Sequence, residues 1–270
     1  MPVLRWFHSD RRLSADLTVT GRRSGRTLGR AARPPGKVVG MGQIIEFPSN
    51  GHAASGYLAE TDGTGPPGPG VIVLQEWWGL VDQITRTCDR LAAVGFTALA
   101  PDLYHGTVVP LTEPDEAGKQ MMALKMASTA KELSGAVDEL VRRTGRPQVG
   151  VVGFCMGGGL ALVLGTQRPD AVAAVVPAYG LIPWPDAQPD YHAMTAAVLC
   201  HAAADDDYFT PEAARALEAE LAALGRDVTC HVYDGVGHAF FNEDRPEAYD
   251  AAAAALLWDR TVAFLHEHLG

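Results

Sequence analysis

At 270 residues, 47% of them hydrophobic, the chain can bury the core of one large domain or of two smaller ones. A formal charge of −10 excludes a nucleic-acid surface spread over the whole molecule. No run of about 18 apolar residues occurs, so no transmembrane helix is expected. Cys88, Cys155, Cys200 and Cys230 lack the paired short spacings of zinc or Cys-x-x-Cys sites. They read as reduced thiols of a cytoplasmic protein, with no metal and no other cofactor expected.

Residues 1–40 carry eight arginines and Lys37 against Asp10 and Asp16, a net of +7 in a chain whose total is −10. They are rich in Gly, Ser and Thr and hold no lasting helical or strand period, which predicts a basic, disordered N-terminal arm. No apolar stretch of signal-peptide length follows Arg11-Arg12 or Arg22-Arg23. Residues 41–270 are expected to form a single domain, with Met41 reading as an ordinary domain start.

From there short apolar runs alternate with helical patterns. Ile44–Phe47 and Gly56–Ala59 predict an opening hairpin, and the Pro-rich stretch Gly63–Gly70 a turn-forming connection. Val71–Leu74 is continuously apolar, the mark of a parallel strand covered on both faces. A helix is predicted over 82–94, a strand over 97–100, and one long helix over 115–143 with Met122, Met126, Leu133, Val137 and Val141 at core spacing. Val149–Val152 is the next buried strand, followed by a helix over 156–166 and strands over 172–177, 196–201 and 228–233. A helix over 211–224 is entered through Thr210 and Pro211, an N-cap and a first-turn proline. A closing helix is predicted over 245–267. This alternation predicts a mostly parallel central sheet with helices on both faces.

The chemistry concentrates at Gly153-Phe154-Cys155-Met156-Gly157, where strand gives way to helix. It is the nucleophile-elbow pattern with Cys in place of Ser. Flanking glycines let backbone crowd a strained turn, and the helix N-terminus favours thiolate over thiol. The Met156 amide would face a developing oxyanion. A base and its orienter should follow in the order nucleophile, acid, His. His238, in the loop Asp234–Phe240 between the last strand and the final helix, fits best of the nine histidines. The acid is expected in Asp205-Asp206-Asp207, at the C-terminal edge of the sheet, with at least two of the three solvated. Spacing to Phe209 and Pro211 selects Asp207.

Gln75-Glu76-Trp77-Trp78-Gly79, Pro101-Asp102-Leu103-Tyr104, Gly153–Gly158, Asp207–Pro211 and Gly237–Phe240 together resemble the motifs of the dienelactone hydrolase (carboxymethylenebutenolidase) family, in that family's order. The resemblance runs from about Met41 to the C-terminus and implies the α/β-hydrolase fold. It implies a Cys155–His238–Asp207 triad, Glu76 as the carboxylate that takes part in thiol activation, and the Trp77 amide as second oxyanion donor beside Met156. It also sets Trp78, Tyr104, His105, Phe240 and Asn242 around the substrate. Where family members that act on dienelactone carry two carboxylate-binding arginines, this chain has Gly106 and Asn242. The expectation is a monomer or small homo-oligomer that hydrolyses a small-molecule ester or lactone through a thioester, with no nucleic-acid or membrane partner. A thioesterase or acyltransferase is the neighbouring reading, and a non-catalytic ligand-binding fold the more distant one.

Overall fold

The computed structural model describes residues 42–270 except 50, 62–64 and 181. The basic arm expected over residues 1–40 lies outside the described residues. The described part falls within one compact unit, Gly40–Gly270. Its strands are β1 (Gln43–Ser49), β2 (His52–Ala59), β3 (Gly70–Leu74), β4 (Thr97–Pro101), β5 (Val149–Phe154), β6 (Val172–Ala178), β7 (Ala197–Asp205) and β8 (Val228–Gly237). Its helices are α1 (Asp82–Ala93), α2 (Pro114–Met122), α3 (Met126–Thr144), α4 (Met156–Gln167), α5 (Pro211–Ala223) and α6 (Ala251–Leu269), with a short 3-10 turn at Pro185–Ala187.

All eight strands join one sheet in the order β1-β2-β4-β3-β5-β6-β7-β8. The β1–β2 hairpin and the β2–β4 pairing are antiparallel; the other pairs are parallel. Every residue of β3, β4 and β5 is buried, which is why their sequences run apolar without alternation. Helices α1 and α6 close one face through Ile84, Leu91, Leu257 and Leu265. Helices α3, α4 and α5 close the other through Leu133, Val137, Leu160, Leu164 and Leu217. Met156–Thr166 of α4 is buried all round, so no polar stripe interrupts its sequence.

Two helix predictions need correction. The single helix over 115–143 is broken at Ala123–Lys125 into α2 and α3. The two pieces bury different partners: Ala117 of α2 packs with Trp78 and Val109, while α3 packs on the sheet. One straight rod could not serve both, and Met122, at the break, is 41% exposed rather than core. The closing helix starts at Ala251, six residues later than predicted. Pro246 disfavours helical geometry at Arg245, and Glu243 and Asp244 are held instead by Arg86 of α1 at 2.7 and 2.6 Å. Asp250 then caps the helix, its carboxylate accepting from the Ala252 and Ala253 amides. The predicted Thr210 cap is present, with Oγ1 accepting from Ala213 N at 3.2 Å.

Candidate active site

Cys155 sits between the end of β5 and the start of α4 with φ 53° and ψ −119°. This left-handed geometry is strained for any side-chain-bearing residue and persists only where its surroundings enforce it. The enforcement is close backbone packing. A Cβ on Gly153 would collide with the Gly157 carbonyl, and one on Gly157 would lie 2.6 Å from Gln75 O. One on Gly158 would lie 2.9 Å from Gly180 Cα. The glycines thus bring the start of α4 directly against the C-terminal end of β3, just ahead of Glu76 and Trp77. Met156 is the first residue of α4, so its amide has no acceptor within the helix. The amide of Cys155 itself donates to Ala178 O at 3.0 Å.

His238 follows the last residue of β8, and its ring is electrostatically coupled to Cys155 on one side. On the other side Nδ1 meets Asp206 Oδ2 at 2.8 Å. The aspartate that meets His238 is therefore Asp206, where the sequence pointed to Asp207. Asp205 and Asp207 are exposed, whereas the Asp206 side chain is fully buried. Its other oxygen, Oδ1, accepts from the amides of Tyr208 (2.7 Å) and Phe209 (3.1 Å), a turn that fixes the carboxylate toward β8. Burial alone would depress the His238 pKa. The negative charge on Cys155 and the hydrogen bond to Asp206 outweigh it and push His238 up to about 10.

Two aromatic partners of His238 were not found from sequence. The Tyr179 and Tyr208 rings meet the imidazole edge-on at 5.2 and 5.1 Å. Tyr179 is fully buried, has φ 39°, and donates from its hydroxyl to Glu76 Oε1 at 3.4 Å. Ala239, beside His238, also has positive φ, at 65°. Three of the four non-glycine residues in this backbone region among the described residues therefore lie at the site. A tyrosine just past a buried strand carries no local motif, which is why sequence reading passed over it.

Glu76 is 1% exposed and accepts from Asn242 Nδ2 at 2.8 Å on Oε2. Burial pushes its carboxyl above the usual range. The Asn242 hydrogen bond, the charges of His238 and Arg245, and Tyr179 offset that only in part.

Four of the five residues expected around the substrate have side chains that are buried or engaged with protein partners. Asn242 is fully buried and occupied with Glu76. Phe240, also fully buried, packs between Tyr179 and Tyr233. Trp78 is buried against Val109 and Ala117. The exposed His105 side chain turns to Glu132 at 3.6 Å, along a cavity of about 360 Å³ between the Leu103–His105 turn and the α2–α3 region. Tyr104 does reach the elbow, its hydroxyl 3.6 Å from Met156 Sδ. Among the described residues no group of three His, Cys, Asp or Glu side chains could hold a metal ion, and no helix is long and apolar enough to cross a membrane.

An eight-stranded, mostly parallel sheet with a strained cysteine at the β5–α4 turn and a histidine and aspartate at the ends of β8 and β7 defines an α/β-hydrolase. Residues 54–269 match the dienelactone hydrolase family, and the chain belongs to it. Over 238 residues it is 39% identical to protein usf of Aquifex pyrophilus, covering 85% of this chain and all of that one. It is 28% identical to carboxymethylenebutenolidase of Rhodococcus opacus over 222 residues, 79% of this chain and 86% of the other. The crystal structure of a dienelactone hydrolase-like promiscuous phosphotriesterase from metagenomic libraries superposes with a TM-score of 0.73 at 23% identity, covering 85% of this chain and 98% of that one. The protein is thus a hydrolase of the ester- and lactone-cleaving kind.

Proposed function

We propose that the protein hydrolyses a small ester or lactone through a thioester on Cys155, with His238 as proton carrier and Asp206 as its orienter. The observation that carries this reading is the His238 ring held by the buried Asp206 carboxylate at 2.8 Å and electrostatically coupled to the strained Cys155 at the elbow. The thiolate attacks the substrate carbonyl carbon, and the amides of Met156 and Trp77 hold the oxyanion. Collapse of the tetrahedral adduct breaks the ester C–O bond, and imidazolium His238 protonates the departing alkoxide. Neutral His238 then takes a proton from water, the hydroxide attacks the thioester, and the acid leaves as the Cys155 thiolate re-forms. Asp206 keeps the imidazole tautomer and orientation throughout.

Glu76 enters this scheme through its partners. Asn242 and Tyr179 are neutral donors, and a carboxyl whose pKa is raised by burial opposes thiolate formation at the site less than an ion would.

Rapid mixing with an activated ester should give a burst of released alcohol and a mass increase of one acyl group on Cys155. In folded Cys155→Ala both burst and steady-state hydrolysis should vanish. Retention of activity within tenfold by that variant would overturn the assignment. Product analysis with added nucleophiles separates hydrolysis from transfer to another acceptor.

Among the described residues the bonded framework starts with Gly42, whose amide donates to the Tyr57 hydroxyl at 3.1 Å. Tyr57 in turn donates to Asp89 of α1 at 2.9 Å. Because residues 1–40 hold no apolar periodicity, a chain starting at Met41 is expected to melt within a few degrees of the full chain and to keep its turnover. Thermal melts and steady-state kinetics on the two forms check this.

A further inference from the structure

Away from the active site, the structure places two thiols side by side. Cys200 of β7 and Cys230 of β8 stand directly opposite each other in a parallel register. Both point to the face covered by α5, where they join the cluster of Val198, Ala202 and Leu217. Neighbouring strands lie about 4.8 Å apart, and Cα separations of about 4.4–6.8 Å accommodate a disulfide, so in-register cysteines need little backbone movement to bridge. Cys230 and burial together raise the Cys200 thiol well above its ordinary pKa. Both are free. They differ in access, since Cys200 is fully buried while Cys230, on the edge strand of the sheet, is only partly covered. Glu218 of α5 accepts from the Cys230 amide at 2.9 Å and fixes that edge.

We propose that Cys200 and Cys230 form an oxidative modification site, in which a hydroperoxide converts the dithiol to a cross-strand disulfide. The more accessible Cys230 sulfur attacks the peroxide O–O bond, giving a sulfenic acid and, with hydrogen peroxide, one water. The Cys200 sulfur then attacks the sulfenic sulfur. The S–S bond forms, the S–O bond breaks, and the Cys200 proton leaves with the hydroxide as a second water. Two thiols are oxidised and one peroxide is reduced. The division of labour follows from burial: the enclosed Cys200 thiol resolves, and the partly exposed Cys230 sulfur reacts first. The bond would link the two strands whose ends carry Asp206 and His238.

The test uses full-length Cys155→Ser protein, which retains Cys88, Cys200 and Cys230, treated with hydrogen peroxide and then denatured for thiol titration. The expected result is a fall from three titratable thiols to one, with a mass loss of about two units for the two hydrogens removed. A Cys200–Cys230 cross-linked peptide should appear by mass spectrometry, and dithiothreitol should restore all three thiols. Adding Cys230→Ser should abolish the cross-link. Retention of three thiols, accumulation of sulfinate on Cys230 without a cross-link, or a cross-link involving Cys88 would each overturn the proposal.

Discussion

Replacement of Asp206 by Asn is expected to lower kcat/KM by about a hundredfold or more, whereas Asp207→Asn should stay within about threefold of the parent. The contrast rests on burial and direction. Asp206 is sealed from solvent with one oxygen on His238 Nδ1, while Asp207 faces water. An amide can turn its NH₂ group toward the ring and impose the wrong tautomer. The pH dependence carries a sign. The hydrogen bond and charge of Asp206 help to raise His238, so their stabilisation of the imidazolium is complete below its unperturbed value near 6.5 and is lost as pH rises through about 10. Leaving-group protonation during acylation should therefore fade on the alkaline side near pH 10, and Asp206→Asn should move that limb to lower pH. Single-turnover acylation rates across pH measure it. A hundredfold loss in Asp207→Asn with Asp206→Asn unaffected would return the orienting role to Asp207.

A substrate bearing a free carboxylate is expected to be turned over no better than its otherwise identical neutral ester, having lost about a hundredfold relative to an enzyme with both arginines. A charge-assisted hydrogen bond contributes roughly 1.5–3 kcal/mol, so lacking two charged donors has an effect of that order. Neither position in question offers a cation. Gly106 has no side chain and its amide already donates to Asp102 Oδ2 at 2.5 Å. Asn242 is committed to Glu76. The competing cation is Arg245, close enough to Glu76 to influence its ionisation and 5.9 Å from the centre of the Trp78 ring. Its Nε is engaged by Glu247 at 2.9 Å. Paired kinetics on one lactone as carboxylate and as methyl ester decide the matter. A tenfold preference for the carboxylate that disappears in Arg245→Ala would assign anion binding to Arg245 and reverse the expected selectivity.

Much of this was legible in one dimension. The strands β3, β5 and β6 were recognisable because burial on both faces forces long apolar runs, and the elbow because its glycines stand where backbone meets backbone. The position of His238 followed from chain order. Helix boundaries were less legible, since the break between α2 and α3 leaves the apolar spacing continuous and reflects two separate packing partners.

The sequence by itself determined the fold class, the cysteine at the strand–helix turn, and the stretch of three aspartates of which one meets His238. Tertiary structure alone decided that Asp206 is the one turned inward. At a strand end each successive residue points a different way, and only the turn to Phe209 fixes which carboxylate meets β8. It also decided that Asn242 serves Glu76 and that Tyr179 and Tyr208 flank His238. Those pairings span long chain separations, and no local spacing encodes a contact made by folding four elements onto one sheet edge.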